Sequence, residues 1–399
     1  PRQGALELAV ELIRRLSPDS LSVMEFKSDI DVQIAQKMLQ FPLLGEKLTD
    51  TWNVILTNEF HMTNDSKLFR NVSAPGRLPL YEGKVIHQFT HTLRPPRYWV
   101  NEREGRAAIL GRKTDTGQKL DYQYYRLGFR SVGRTTDQHA LIATVFPSRA
   151  FAGNSLIISR RLDPGNSIEM VGDDQILFLT AIMNSFIADY FIGQKISANL
   201  NMFYIYQLPV PRLTEQNVSF RMIVERAARL ICTTPEFQEL WESVMPSSTW
   251  SPGVVAIDKD ERAKLRAELD GIIANVYNLT EKEFCHMLET FPLVEQSIKD
   301  AALVAYQEFA LAPDDLAIKE LIDKGETARV EFKVAACWNP FTGKRDDSMR
   351  DNVIQEVAAF MNSGGGTVLI GVKDDGTVVG LVDDYREANL SKSNRDGYQ

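Results

Sequence analysis

The chain has 399 residues, of which 44% are hydrophobic and 25% are charged, a balance typical of a folded protein rather than a disordered one. Its formal net charge of −8 speaks against a protein that binds nucleic acid over its whole surface. The three cysteines, Cys232, Cys285 and Cys337, are far apart and form no C-x-x-C pair. This pattern argues against a zinc ribbon or a disulfide framework and predicts a reducing, cytoplasmic location.

Residues 1–50 have helical periodicity, and Ser28 is the predicted N-cap of a helix. We interpret this segment as a connector from a domain upstream of the sequence. Residues 51–60 alternate like a strand. Side-chain types also alternate with a period of two over residues 80–89. This pattern predicts a strand with one face formed by Tyr81, Val85, His87 and Phe89. Pro95 and Pro96 should end this strand, because proline cannot donate to a β-ladder.

Further short strands are predicted at 122–132, 140–146 and 155–158, separated by polar loops. The segment 51–212 should therefore be a strand-rich domain. Near its end, residues 175–195 form a strongly apolar run that contains Thr180, Asn184 and Asp189. These polar residues predict a buried helix rather than a membrane span, so no membrane partner is expected. Residues 198–211 predict a turn, a short strand and a proline stop.

Residues 213–310 are predicted to be helical, with helices at 218–232, 235–244 and 259–277. Thr280 and Glu283 have the spacing of a capping box that opens another helix. From residue 311 to 399 the pattern changes again. It predicts helices at 315–324 and 348–361, strands at 328–335 and 367–373, and a hairpin turn at Asp374-Asp375-Gly376. The predicted fold class is α+β, with mixed α/β domains.

Charge is distributed unevenly along the chain. Residues 61–161 contain 17 Lys and Arg residues and 7 Asp and Glu residues, a net of +10, whereas the remainder has a net of −18. A basic block within an acidic protein is typical of a local binding site for a polyanion. Cations neutralise phosphates, amides and guanidinium groups pair with base edges, and aromatic rings stack. The candidate DNA-contacting residues are Lys84, His87, Gln88, Arg94, Arg97, Arg130 and Arg134. A surface strand and a solvated hairpin would have a similar composition, so this alternative stays open.

Several strings occur in an order that resembles a known family. They are EFHMTNDSKLF (59–69), PLYEGKVIHQF (79–89), RLGFRSVGRTTD (126–137), FAGNS (151–155), the run at 179–211 and AELDGIIANVYNLTEKEF (267–284). This series resembles the target recognition region of Eco57I-like, TaqI-like type IIG and phage-defence adenine-N6 DNA methylases. The resemblance implies that residues 51–212 recognise double-stranded DNA. It also implies an upstream methyltransferase domain that uses S-adenosylmethionine. The sequence contains neither a G-x-G-x-x-G cofactor loop nor the N-P-P-[YFW] motif, so we assign no methyl transfer to these residues.

The C-terminal segment 311–399 has a second resemblance. GETARVEFK, AAFMNSGGG and TVLIGVKDDGTVVGL resemble part of the Schlafen-like, AlbA-type domain. That family includes members thought to bind nucleic acid and relatives that are nucleases with three carboxylates. Glu326, Glu331 and Asp374 match these carboxylates and would hold Mg²⁺. A metal-dependent nuclease is therefore one alternative function, and a non-catalytic regulatory or assembly module is another.

Overall fold

The computed structural model describes residues 26–133, 138–165, 167–195, 200–310, 318, 321–322, 324–340, 342–363, 365–381 and 384. The helix predicted within residues 1–25 and most of the helix predicted at 315–324 lie outside these ranges. The chain divides into two compact units between Ala310 and Leu311. Both units combine helices with small sheets, so the predicted α+β class is confirmed.

Two four-stranded sheets form the strand-rich part of the first unit. The first sheet is antiparallel and has the order β1-β8-β5-β6, from strands Leu56–Thr57, Leu156–Ser159, Arg126–Arg130 and Ala143–Phe146. The second has the order β2-β4-β3-β7, from strands Phe69–Arg70, Tyr98–Asn101, Arg77–Tyr81 and Phe151–Ala152. In the second sheet β3 and β7 run parallel. Residues 151–159 thus contribute a strand to each sheet, which places the two sheets side by side.

Ten helices belong to the described part of the first unit. They are α1 (Asp29–Met38), α2 (Glu102–Leu110), α3 (Asp173–Asn184), α4 (Phe186–Gly193), α5 (Met202–Tyr206), α6 (Val218–Ile231), α7 (Gln238–Val244), α8 (Lys259–Val276), α9 (Glu281–Glu289) and α10 (Gln296–Glu308). The largest hydrophobic cluster joins the first sheet to all of these helices except α2. Helices α8 and α10 approach closely at Gly271, where a Cβ atom would overlap the backbone of Ala305 and Tyr306.

Local capping signals are reproduced. Ser28 accepts a hydrogen bond from the backbone N–H of Asp31, whose carboxylate accepts one from the N–H of Ser28. Thr280 and Glu283 form the same reciprocal pair at the start of α9. Each box satisfies backbone donors that the helix itself leaves unpaired. The two predicted N-caps are therefore confirmed.

The single helix predicted at 175–195 is wrong. Helices α3 and α4 meet at 60° because Ser185, with φ −77° and ψ 155°, interrupts the first helix and caps the second. Its hydroxyl accepts a hydrogen bond from Ala188 N–H and donates one to the Ile182 carbonyl. Among the described residues no single helix is long and apolar enough to cross a membrane; α3 and α4 reach that length and composition only as a bent pair.

Two predicted strands are also wrong. The strand predicted at 80–89 ends at Tyr81, and Gly83–Val85 forms one turn of 3₁₀ helix. His87 and Thr90 then exchange backbone hydrogen bonds in a tight turn, in which Phe89 has a φ of 56°. The strand predicted within 198–211 is instead helix α5, whose N-cap Asn201 accepts a hydrogen bond from Tyr204 N–H.

The second unit contains a parallel pair of strands, β9 (Val330–Lys333) and β12 (Thr367–Ile370). Between them come the short antiparallel pair β10 (Trp338–Asn339) and β11 (Lys344–Arg345) and helix α11 (Asp347–Ser363). Parallel neighbours require a crossover, and α11 lies in that connection. The two strands and the helix predicted in this segment are confirmed. A tight turn follows, in which Gly376 N–H donates to the Lys373 carbonyl.

Candidate nucleic-acid interface

His87 and Arg130, two of the predicted DNA contacts, meet beside the turn that follows β3. The Arg130 guanidinium donates a hydrogen bond to the carbonyl of Ile86, the residue before His87. The backbone N–H of Arg130 donates to Ile142 at the end of β5. Burial lowers the pKa of His87, and the nearby charges of Arg130, Arg266 and His139 lower it further. His87 is therefore surrounded by positive groups.

Helix α8 adds two arginines to this place. Arg262 is fixed, because its guanidinium donates to the carbonyls of Leu230, Ala256 and Phe89. Arg266 lies one turn further along the same face of the helix. It is half-buried and makes no side-chain hydrogen bond or ion pair with the part of the chain that the structure describes. Burial lowers the pKa of Arg266, while the charge of Asp270 opposes this shift.

We call His87, Arg130, His139, Arg262 and Arg266 the basic cluster. Two carboxylates, those of Asp189 and Asp270, lie close to this cluster, but neither forms an ion pair with Arg266. Asp189 accepts hydrogen bonds from the N–H groups of Ala140 and Leu141 and pairs with His139 at 3.0 Å.

Asp270 accepts a hydrogen bond from Phe186 N–H. Burial raises the pKa of Asp270 to about 7, against the smaller opposing effects of this hydrogen bond and of the charges of His139 and Arg266. At neutral pH the carboxyl is thus partly uncharged. The basic cluster therefore keeps a positive charge that an external anion can compensate.

The other predicted contacts lie in different surroundings. Arg94 and Arg97 are exposed, and the Arg97 guanidinium lies over the ring of Tyr98 at 4.8 Å. Lys84 is exposed and 3.4 Å from Glu82. Gln88 is 6% exposed, and its side-chain amide donates to the Asn184 carbonyl, so the structure places it in the interior and its predicted DNA contact stays a prediction. Arg134 lies outside the described residues.

Many other cations of the basic block are structural. Arg126 is buried against Glu59 at 2.8 Å, and Arg161 pairs with Glu169 and Asp173. These three acids lie just outside the 61–161 window, so the count of +10 overstates the charge available to a ligand. Exposed cations without an ion pair among the described residues are Lys67, Arg94, Arg97, Arg103, Arg112, Lys113 and Lys119.

Arg262, Arg266 and His139 were absent from the predicted set. Helix α8 is about 180 residues along the chain from His87, so no local window includes both. The signal was nevertheless present. Arg262 and Arg266 are four residues apart and interrupt the apolar stripe of Leu265 and Leu269, which places two cations beside a core-facing surface.

The three C-terminal carboxylates do not form a metal site among the described residues. Glu326 accepts a hydrogen bond from Phe332 N–H at 2.9 Å, and Glu331 forms an ion pair with Lys333. Asp374 is exposed at the hairpin turn. No group of three or more His, Cys, Asp or Glu side chains in the described ranges could hold a metal ion. In the described residues Glu326 is bonded to the backbone and Glu331 is paired with Lys333, so the structure does not bring the three carboxylates together, and the Mg²⁺ triad stays a prediction.

Comparison with known proteins gives two findings. A structural match was found with the type IIL restriction-modification enzyme MmeI, solved in complex with DNA, at 12% identity and a TM-score of 0.35. That match covers 65% of this chain and 37% of the enzyme chain. No curated protein matched. The family model described as Schlafen, AlbA_2 matches residues 326–398, which confirms the second resemblance and identifies a Schlafen AlbA_2 domain at the C-terminal end of this sequence.

Proposed function

We propose that the first unit binds duplex DNA and that the basic cluster holds a phosphate of the DNA backbone. The observation that carries this proposal is Arg266, a half-buried guanidinium with no anionic partner in the described chain, next to His87 and Arg130. A desolvated cation is costly until an anion pairs with it. The planar fork of arginine suits two phosphate oxygens at once.

The unpaired surface cations support a polyanion rather than a single anion. Seven exposed Lys and Arg side chains of the strand-rich part have no carboxylate partner among the described residues. Arg97 and Tyr98 also present a cation and a ring together. Such groups can bind successive phosphates of a DNA backbone and contact base edges. A ligand with a single phosphate would contact only the basic cluster and would leave these surface cations unused.

We further propose that DNA recognition here serves a bacterial adenine-N6 methyltransferase of a restriction-modification or phage-defence system. The ordered series of family-like strings between residues 59 and 284 supports this role. Methyl transfer would be carried out in the cytoplasm by a separate catalytic domain with S-adenosylmethionine. The contribution of this chain would be to hold the duplex and select the site while that domain flips the adenine.

Replacing Arg266 by Gln is expected to weaken binding of a short DNA duplex by roughly tenfold, the effect of losing one charge-assisted hydrogen bond. The slope of log affinity against log salt should also fall by about 1, because one phosphate contact fewer releases one counter-ion fewer. Fluorescence anisotropy over a salt series measures both quantities.

Lys264→Gln is the matched control, because Lys264 is on the same helix, its side chain is 77% exposed, and it points away from the basic cluster. Binding by this variant should stay close to that of the unmodified protein. Equal losses in both variants, or DNA binding that does not depend on salt, would contradict the proposal.

DNA binding is also expected to strengthen as the pH falls from about 8 to about 6. Burial and the neighbouring cations lower the pKa of His87, so its ring is neutral in the free protein at the upper end of this range. A bound phosphate would oppose those charges and raise the pKa of His87, so the complex would take up a proton. His87→Gln should reduce this pH dependence in anisotropy titrations, while Asp270, whose pKa burial raises to about 7, accounts for any part that remains. An unchanged pH profile would remove His87 from the contact.

A further inference from the structure

A cavity of about 730 Å³ lies in the first unit, between loop residues 43–55, loop residues 163–170 and helix α5 with its C-cap Gln207. No residue of the basic cluster lines it. Its volume is within the range of about 300–1,000 Å³ that small-molecule sites occupy. The proposed DNA interface therefore leaves this space unexplained.

The walls of this cavity are held in place by the protein itself. The Asn53 side chain accepts a hydrogen bond from Leu48 N–H and donates to the Leu48 carbonyl, which closes the loop on itself. The Tyr206 hydroxyl accepts a hydrogen bond from Leu56 N–H, and the Tyr206 carbonyl accepts one from Gly45 N–H. These contacts attach the loop to α5, so the cavity does not depend on a ligand for its shape.

Two buried polar atoms of lining residues have no hydrogen-bond partner within the described chain: Gln207 Nε2 and Thr51 Oγ1. Gln207 is only 6% exposed, and its Oε1 accepts a hydrogen bond from Lys195 Nζ at 2.7 Å. Because ammonium can only donate, this contact fixes which end of the amide is oxygen and leaves the NH₂ group unsatisfied. An unsatisfied buried donor costs about 1–3 kcal/mol, which a ligand acceptor would recover.

The remaining lining defines the chemistry of the ligand. Phe203 is 40% exposed and offers a flat apolar surface next to Tyr206. The charged lining residues are Glu46, Asp163, Glu169 and Lys47. Glu169 pairs with Arg161, and the other two carboxylates still outnumber the single lysine, which disfavours a phosphate or another anion.

We propose that this cavity binds a flat heterocyclic compound without phosphate, of the nucleoside class. A ring acceptor would receive a hydrogen bond from Gln207 Nε2, the Thr51 hydroxyl would pair with a second polar ring atom, and Phe203 would pack on the ring. The proposal is independent of DNA binding at the basic cluster, since the two sites share no residue.

The test is isothermal titration of the full chain with adenosine, cytidine, guanosine and uridine, with the monophosphate of each nucleoside as its charged match. At least one nucleoside should bind, and its monophosphate should bind more weakly. Gln207→Glu keeps the acceptor for Lys195 but removes both donors, and Thr51→Val keeps the shape but removes the hydroxyl. Each change should weaken binding at least about tenfold, and Gln40→Glu, at an exposed glutamine, should not.

Melting curves establish that each variant is folded, and the Thr51→Val result stands if Gln207→Glu does not fold. The proposal is overturned if no nucleoside binds the unmodified chain. It is also overturned if binding survives in the folded variants, or if the monophosphate binds as tightly as the nucleoside.

Discussion

Arg126→Met is expected to destabilise the first unit by about 3–5 kcal/mol, the usual cost of removing one partner of a buried ion pair. The side chain of Arg126 is 1% exposed and that of Glu59 is 7% exposed, and they pair at 2.8 Å. Arg126 also donates to the Ala150 carbonyl, while Glu59 accepts from Ala152 N–H. Methionine would leave a buried carboxylate without a counter-ion and a carbonyl without a donor. Urea unfolding followed by circular dichroism measures the change.

The double variant Arg126→Met with Glu59→Gln separates charge from packing. Neutralising Glu59 removes the uncompensated charge, so the double variant should be more stable than Arg126→Met alone. Arg103→Met, at an exposed position of α2, is the control and should change the free energy of unfolding by less than about 0.5 kcal/mol. Through the contacts of Arg126 and Glu59 the ion pair links β5 of the first sheet to β7 of the second. A decrease of less than about 1 kcal/mol in the free energy of unfolding of Arg126→Met would show that the pair does not stabilise this junction.

Asp270→Asn is expected to stabilise the protein at pH 8, by an amount on the order of 4 kcal/mol. Burial raises the pKa of Asp270 from 3.8 to about 7 in the folded chain. The folded state therefore binds the proton more tightly than the unfolded state. Below pH 4 Asp270 is protonated in both states and its burial destabilises the fold least. The free energy of unfolding then decreases as the pH rises through 7, because the buried carboxyl must ionise. Asparagine cannot ionise, yet its side-chain oxygen can still accept the hydrogen bond from Phe186 N–H.

Urea unfolding at about pH 5 and pH 8 tests the sign of this effect. The advantage of Asp270→Asn should be much larger at the higher pH, where the native carboxyl must be charged in the interior. Asp260→Asn, an exposed change on the same helix, should show little pH dependence. An equal advantage at both pH values would mean that ionisation of Asp270 is not the cause.

Features that depend on neighbouring residues were predictable from the sequence. The capping boxes at Ser28 and Thr280, and helices α6 and α8, follow from side chains within a few residues of each other. Their physical basis is local, since a cap needs one hydroxyl and one N–H group three residues away. The strands and helix of the second unit were likewise visible as short periodic patterns.

Features that depend on distant contacts were not predictable in this way. The alternation of residues 80–89 indicated a strand, but Phe89 N–H bonds to Ala143 and the chain turns at His87. The apolar run at 175–195 gave no sign of the 60° bend between α3 and α4. A segment that is buried on all sides has no amphipathic pattern, so a change in helix direction leaves no trace in the order of its residues. Charge counting failed similarly, since several cations are neutralised by acids distant in sequence or just outside the counted window.

The sequence by itself determined that this protein is α+β, that its C-terminal end resembles a Schlafen-like domain, and that residues 61–161 are rich in cations. It also placed His87 and Arg130 in the candidate site. Only the tertiary structure decided which cations remain available to a ligand. Packing of α8 against the turn after β3 brings Arg266 next to His87 and Arg130, while Arg126 and Gln88 are buried in other contacts. The reason is physical: desolvation and pairing depend on three-dimensional neighbours, and these neighbours lie tens to hundreds of residues apart in the chain.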